Sequence, residues 1–275
     1  MSTDRFDPQA VEALLTTRTF GRNLIALPQT GSTNDEAKEL ARQGAADGTV
    51  VVTDEQLAGR GRLGRSWLAP PGTCLLCSIL FRPSLPPTQA SWLTMLCSLA
   101  AADGVKEIGG LSVSLKWPND LVVLTEPAGD ASWRKLAGVL TETALVGEQV
   151  EFAIVGIGIN VNVPAELLPG LSPEATSVLA ETGHLTSREE LLAKTLAGVE
   201  DRYERLRQGE SPHSEWCSRL ATLGRQVEVV TSQGVLTGLA EGVTEAGELL
   251  LRTTDGTLHQ LAAGDVTIGR KSEVG

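Results

Sequence analysis

Apolar and polar positions along the chain fall into stretches of period two and of period 3.6, a series of strands interleaved with helices. Residues 8–16 predict a short helix and 23–27 a first strand, ahead of the polar turn Gln29-Thr30-Gly31. Thr33-Asn34-Asp35-Glu36 fits a capping box, with Ala37, Leu40 and Ala41 following at helical spacing and Gly44 ending the helix. Residues 49–53 and Cys74–Phe81 predict strands, separated by the Gly/Arg-rich stretch 57–65 and the breaker Pro70-Pro71-Gly72. Residues 88–108 place Trp92, Leu93, Met95, Leu96, Leu99, Ala100 and Val105 on one broad apolar helical face.

Leu111, Val113, Leu115 and Trp117 then alternate with Ser112, Ser114 and Lys116 until Pro118 stops the strand, so Lys116 points away from the core-facing residues. Residues 121–124, 136–146 and 149–163 predict three further strands, the first two separated by a turn at 126–130. A Pro-rich loop over 164–175 and a helix over 187–207 follow. From 226 to 268 the texture changes to short β-rich runs punctuated by Gly and Asp-Gly, the pattern of a small barrel. The expected fold class is α+β: a mixed or antiparallel sheet with helices over 1–222, and a small β-barrel over 223–275.

Composition narrows the class of molecule. The chain has 275 residues and 29.0 kDa, room for one large domain with a small companion. Lys and Arg number 23 against 34 Asp and Glu, a net charge of −11. That sign is wrong for holding nucleic acid by phosphate neutralisation, so any basic cluster has to be local. Four irregularly placed cysteines indicate a reducing compartment rather than a disulfide framework. An acidic N-terminal stretch, and no apolar run of about 18 residues, predict a cytoplasmic protein without a membrane span.

Four stretches carry candidate chemistry. Residues 56–67 interleave Arg60, Arg62 and Arg65 with Gly59, Gly61 and Gly64. Glycine lets a backbone approach a ligand and guanidinium forks bind phosphate or carboxylate, so the combination suits a polyanion. It is also literally G-x-G-x-x-G, but Pro70-Pro71-Gly72 removes the helix that a dinucleotide fold requires, and no kinase or Walker A partner motif occurs. As a bare pattern it fits a solvated surface loop equally well.

Lys116-Trp117-Pro118-Asn119-Asp120 ends a strand in a turn; the turn accounts for Asn119 and Asp120, whereas Lys116 is a candidate fixed cation. Gly156 and Gly158 interrupt an apolar strand and mark either a close ligand approach or a bulge. Ser32-Thr33-Asn34 lies at a helix N-terminus, where capping explains Thr33 but not all three. Cys74 and Cys77 read as buried strand residues, and His184, His213 and His259 as scattered surface residues, which leaves metal ligands unassigned.

In order and spacing, Ser32-Thr33-Asn34, Gln56, the 59–65 stretch, the 116–120 block, Arg134-Lys135-Leu136-Ala137-Gly138 and Gly156-Ile157-Gly158-Ile159-Asn160 resemble the biotin–protein ligase (biotin–[acetyl-CoA carboxylase] ligase) family. The resemblance implies a class II aminoacyl-tRNA-synthetase-like catalytic domain with an SH3-like C-terminal domain. It implies ATP, biotin and Mg²⁺, a biotinyl-5′-AMP intermediate, and transfer of the biotinyl group to a lysine of a biotin carboxyl carrier protein. Lys116 and Arg62 would be catalytic. Biotin would meet Ser32, Thr33, Asn34, Gln56, Arg60, Gly61, Arg62, Lys116, Gly138 and Gly158; ATP and the adenylate would meet Arg60, Arg62, Arg65, Trp67, Lys116, Asn119 and Asn160.

Family members that repress transcription carry an N-terminal winged helix-turn-helix domain. Here the pattern begins near residue 20, so the expectation is a monofunctional ligase that does not bind DNA; the resemblance is compatible with a homodimer through the sheet. A lipoate–protein ligase shares the fold and the adenylate chemistry, and a non-catalytic biotin-responsive binding protein is the alternative from another class. The Gly/Arg loop and the C-terminal barrel favour the biotin branch over the first, and Lys116 argues for catalysis over the second.

Overall fold

The computed structural model describes residues 5–125 and 132–268. Helix α1 (Pro8–Leu14), strand β1 (Leu24–Leu27), helix α2 (Thr33–Arg42) and strands β2 (Val50–Thr53) and β3 (Cys74–Phe81) lead into the long α3 (Ser91–Gly109). Strands β4 (Ser114–Lys116), β5 (Asp120–Thr125), β6 (Ser132–Val146) and β7 (Gln149–Asn160) complete a seven-stranded sheet of order β1-β2-β3-β7-β6-β5-β4. β1 and β2 run parallel and the other neighbours antiparallel, the mixed sheet that the sequence predicts. Helices α4 (Leu168–Leu171), α5 (Val178–Thr182), α6 (Arg188–Arg207) and α7 (His213–Ser218) follow. Strands β8 (Gln226–Thr231), β9 (Gly234–Val243), β10 (Leu249–Thr253), β11 (Leu258–Leu261) and β12 (Asp265–Ile268) form a second, antiparallel sheet of order β11-β10-β9-β8-β12.

β3 is buried at every position because helices cover the large sheet on both faces. On one face Ala37 and Ala41 of α2 pack on Val51, Leu80 and Ile154. On the other, Leu75, Cys77, Ile79 and Phe81 join the side chains of α3 and α6. Burial pushes the Cys74 thiol up to about 11 and that of Cys77 up to about 12, which leaves both as inert core residues. Val227, Val229, Leu249, Leu251 and Val266 of the small sheet enter the same core. The Trp117 indole donates to Gly247 O and that of Trp92 to Glu245 O, each at 2.8 Å, which seats the small sheet against the large one. Among the described residues no helix is long and apolar enough to cross a membrane.

Several boundaries differ from expectation for local reasons. The alternation over 111–117 is a strand only at Ser114–Lys116, β6 starts at Ser132 rather than 136, and β7 ends at Asn160 rather than 163. The expected loop at 164–175 contains α4, and α5 and α7 were not expected; at four to six residues none is long enough to set up a helical period. The turn at 126–130 lies outside the described residues.

The capping box is also corrected. Ser32, not Thr33, is the N-cap and makes no side-chain capping bond, while Glu36 accepts from Thr30 Oγ1 at 2.6 Å instead of reaching back. His213 is half-buried rather than on the surface: its Nδ1 lies 3.4 Å from Glu245 and its Nε2 3.3 Å from Cys217 Sγ, where α7 meets the β9–β10 turn.

Candidate active site

The N-terminus of α2 meets the large sheet through a run of polar contacts. Gln56, held beside Thr30 by an isolated parallel bridge, stands in for the missing cap: its Oε1 accepts from Thr33 N at 2.8 Å and lies 3.1 Å from Thr33 Oγ1. Ser78 Oγ on β3 lies 2.7 Å from Thr33 Oγ1 and 2.6 Å from Asn34 Oδ1, and Asn34 Nδ2 donates to Glu142 at 2.7 Å. Thr33, Asn34 and Ser78 are all buried.

Asn34 can lie this close to the sheet only because β7 carries Gly156 beneath it; a Cβ there would stand 2.3 Å from Asn34 Oδ1. Two residues on, Gly158 pairs with Gly138 of β6 to make a bare floor. The Trp67 ring covers that floor, so a Cβ on Gly158 would meet it at 2.7 Å. The strand-interior glycines thus mark close approach rather than a bulge.

Above the floor, residues 59–67 fold back as a small hairpin, with Gly61 N donating to Arg65 O at 2.7 Å and Trp67 N to Gly59 O at 2.9 Å. Its three arginines have different partners. Arg60 pairs with Asp35 at 2.6 Å and Glu142 at 3.1 Å, tying the hairpin to α2 and β6. Arg65 pairs with Asp265 at 2.8 Å, tying it to the small sheet. Burial of Asp265 opposes its charge, but the Arg65 bond, with the charges of Lys116, Arg65 and Lys135, holds its carboxyl below the ordinary range. Half-buried Arg62 makes one hydrogen bond, to Asn119 Oδ1 at 3.5 Å, and no salt bridge among the described residues. Desolvation, with repulsion from Arg65, pulls its pKa down against the longer-range attraction of Asp120 and Asp265.

These elements enclose two adjoining clefts. The first encloses about 930 Å³ of open space counting its mouth. Ser32, Thr33, Asn34 and Gln56 line one side of it, Arg60, Gly61, Arg62 and Asn119 another, and Gly138 and Gly158 its floor. The second cleft is lined by Arg65, Trp67, Lys116 and Asn160. Arg65, Trp67, Asp120, Lys135 and Asp265 border both, so the clefts meet along these side chains.

Lys116 does not border the first cleft, against expectation. It pairs with Asp120, Asp120 with Gly138, and Gly138 with Gly158, so it shares the cleft face of the sheet as its alternation predicts. Yet it is buried, with Nζ 5.0 Å from the Trp133 ring centroid. Besides Arg65, the cation at the junction is Lys135, whose Nζ lies 2.8 Å from Asp120 Oδ1 and 5.6 Å from the Trp67 ring centroid. A β-bulge puts it there: Leu121 pairs with Ala137 and Val122 with Lys135, so Leu136 is the extra residue and Lys135 turns onto the face of Asp120. Asn160 is buried, with its amide donated to Thr176 O at 2.9 Å.

Comparisons with known proteins bear on the chain as a whole. The description "Biotin/lipoate A/B protein ligase family" matches residues 26–160, and "Biotin protein ligase C terminal domain" matches 222–269. The "Bifunctional ligase/repressor BirA" of Bacillus subtilis is 33% identical over 93% of this chain and 77% of its own length. The "Biotin--[acetyl-CoA-carboxylase] ligase" of Mycobacterium tuberculosis is 32% identical over 96% of this chain and 97% of its own. The structure "Biotin protein ligase from Aquifex aeolicus in complex with biotin and ATP" superposes with a TM-score of 0.71 at 31% identity, covering 90% of this chain and 99% of that one. The matched relatives cover both sheets and are themselves covered along nearly their whole length, and the chain belongs to the biotin protein ligase family.

Proposed function

We infer that this chain is an ATP-dependent biotin–protein ligase that makes biotinyl-5′-AMP and transfers the biotinyl group to a lysine of a biotin carboxyl carrier protein. The observation that carries the reading is the junction of the two clefts at Lys135, Asp120 and Asp265. A small acid in the first cleft, ureido end against the polar run and tail over the glycine floor, presents its carboxylate there. A nucleotide in the second cleft presents its α-phosphate to the same point.

One carboxylate oxygen bonds to the α-phosphorus while the bond to pyrophosphate breaks. The carrier amine then bonds to the acyl carbon, AMP leaves, and the amine gives up its proton. Anion attacking anion is suppressed by repulsion, which fixed cations remove. Lys135 and Arg65 stand at the meeting point, Arg62 over the first cleft, and Lys116 beside the second. Asp120 Oδ1 is buried, and apart from its ion pair with Lys135 it receives no hydrogen bond among the described residues. Asp120 is, with Asp265, a carboxylate that would hold Mg²⁺ brought in on phosphate, and the ion would supply charge neutralisation there.

Two supports extend the reading. The division between the sheets favours a catalytic domain over 1–222 and a C-terminal domain over 223–275. The free cysteines suit a reducing, cytoplasmic setting, and a homodimer through the large sheet belongs to the same proposal.

Pyrophosphate exchange into ATP tests the function: biotin is expected to drive it, and lipoate, with no ureido group for the polar run, to support at most about a tenth of that rate. Exchange with lipoate alone would overturn the assignment. For the floor, Gly158→Ala forces a methyl into the Trp67 ring and is expected to weaken biotin binding roughly tenfold by calorimetry. Wild-type affinity would show that the floor is not used.

A further inference from the structure

The polar run beneath α2 has a direction, and the groups that set it do not line the cleft. Glu142 is an ionised acceptor on β6, bonded by Lys38 at 2.5 Å, Asn34 at 2.7 Å and Arg60 at 3.1 Å. Burial works against its charge, but the Lys38 and Asn34 bonds outweigh that and hold its carboxyl below the ordinary range. A carboxylate can only accept, so the Asn34 carboxamide must turn Nδ2 toward it and leave Oδ1 facing Ser78. Gly156 lets the carboxamide lie flat on β7 in that orientation.

Ser78 has one hydroxyl proton and two oxygen neighbours, Asn34 Oδ1 and Thr33 Oγ1. Oδ1 has no proton of its own, so Ser78 donates to Asn34 and turns its lone pairs to the Thr33 hydroxyl. Gln56 Oε1 stays turned inward on Thr33 N, which aims the Gln56 amino group outward as a donor. Were Asn34 flipped, its Oδ1 would face the Glu142 carboxylate, acceptor against acceptor, and Ser78 would accept from Nδ2 and turn its proton to Thr33, so the Glu142 carboxylate is what selects between the two directions.

We propose that Glu142 is a positioning residue: it fixes the hydrogen-bond polarity of the Asn34–Ser78–Thr33 side-chain run, which beside Gln56 receives the ureido group, and, through Arg60, ties that run to the hairpin over the cleft. The proposal rests on the biotin–protein ligase reading and adds a determinant of acid specificity that does not itself touch the substrate.

The test measures apparent KM for biotin and for MgATP in pyrophosphate exchange, with melting temperature, on the full chain. Glu142→Leu removes the acceptor and is expected to raise biotin KM roughly tenfold, leaving MgATP KM within about twofold. Glu142→Gln still accepts from Asn34 through its amide oxygen and is expected to keep biotin KM within about threefold of wild type. If Glu142→Leu does not fold, Ser78→Ala breaks the run at its centre and is expected to give the same split between the two KM values. An unchanged biotin KM in the folded variant, or parallel rises for biotin and MgATP, would overturn the positioning role. Absence of biotin-dependent exchange in the wild type would overturn the underlying function as well, and the two failures are told apart by that control.

Discussion

Replacing Lys135 by methionine is expected to slow formation of biotinyl-5′-AMP by about 10²–10³-fold in a single turnover, the loss typical when one preorganised charge is taken from a reacting oxyanion. The methylene stem survives the change, so packing on Trp67 is largely kept. Asp120 loses its ion-pair partner, which adds a stability penalty that a melting curve separates from the chemistry. Lys135→Arg keeps the charge and should recover part of the rate. Lys116→Met is the informative contrast: Lys116 borders only the nucleotide side and faces Trp133, so its loss is expected to raise MgATP KM by less than about tenfold while acyl-adenylate formation from bound substrates continues. The reverse pattern, a silent Lys135→Met and a dead Lys116→Met, would move the reacting carboxylate to the far side of Asp120.

The same comparison shows what the sequence could express and what it could not. Period-two alternation placed Lys116 on the cleft face correctly, because β4 and the start of β5 pair without irregularity. Applied to 132–146 the same rule puts Lys135 on the face of Ala137, toward the core, and the bulge at Leu136 reverses it. A bulge depends on cross-strand partners, so one strand's sequence does not announce it. Ser78 and Glu142 escape sequence reading for a related reason: Ser78 is one polar residue in an apolar strand, Glu142 sits between Thr141 and Thr143 with no local mark, and only the register Ser78–Gly156–Leu140 puts them under α2. Sequence patterning found the α2 N-terminus, the arginine hairpin and the paired glycines, because each departs from local regularity. It could not rank Arg60, Arg62 and Arg65, whose difference lies in carboxylates distant in the chain: Asp35 and Glu142 for the first, Asp265 for the third.

That ranking leads to the second large effect. Arg60 and Arg65 already have carboxylate partners, so each holds the hairpin down whether or not the cleft is filled. Among the described residues Arg62 has one long hydrogen bond, to Asn119, and no ion pair closer than the longer-range Asp120 and Asp265, so an anion in the first cleft gives it the direct partner it lacks in the hairpin. Arg62→Gly is therefore expected to speed escape of biotinyl-5′-AMP about 50-fold, the equivalent of one charged hydrogen bond, while slowing its formation much less because Lys135 remains. Released adenylate acylates amines indiscriminately, so the variant should label bystander proteins at the expense of the carrier. Retention of labelled adenylate on a desalting column, against Arg60→Ala and Arg65→Ala as controls, measures the effect directly. Equal retention in all three would mean that the hairpin closes through its ends alone. Faster loss from Arg62→Gly than from either control would identify this unpaired guanidinium as the group that keeps the mixed anhydride from solvent until the carrier lysine arrives.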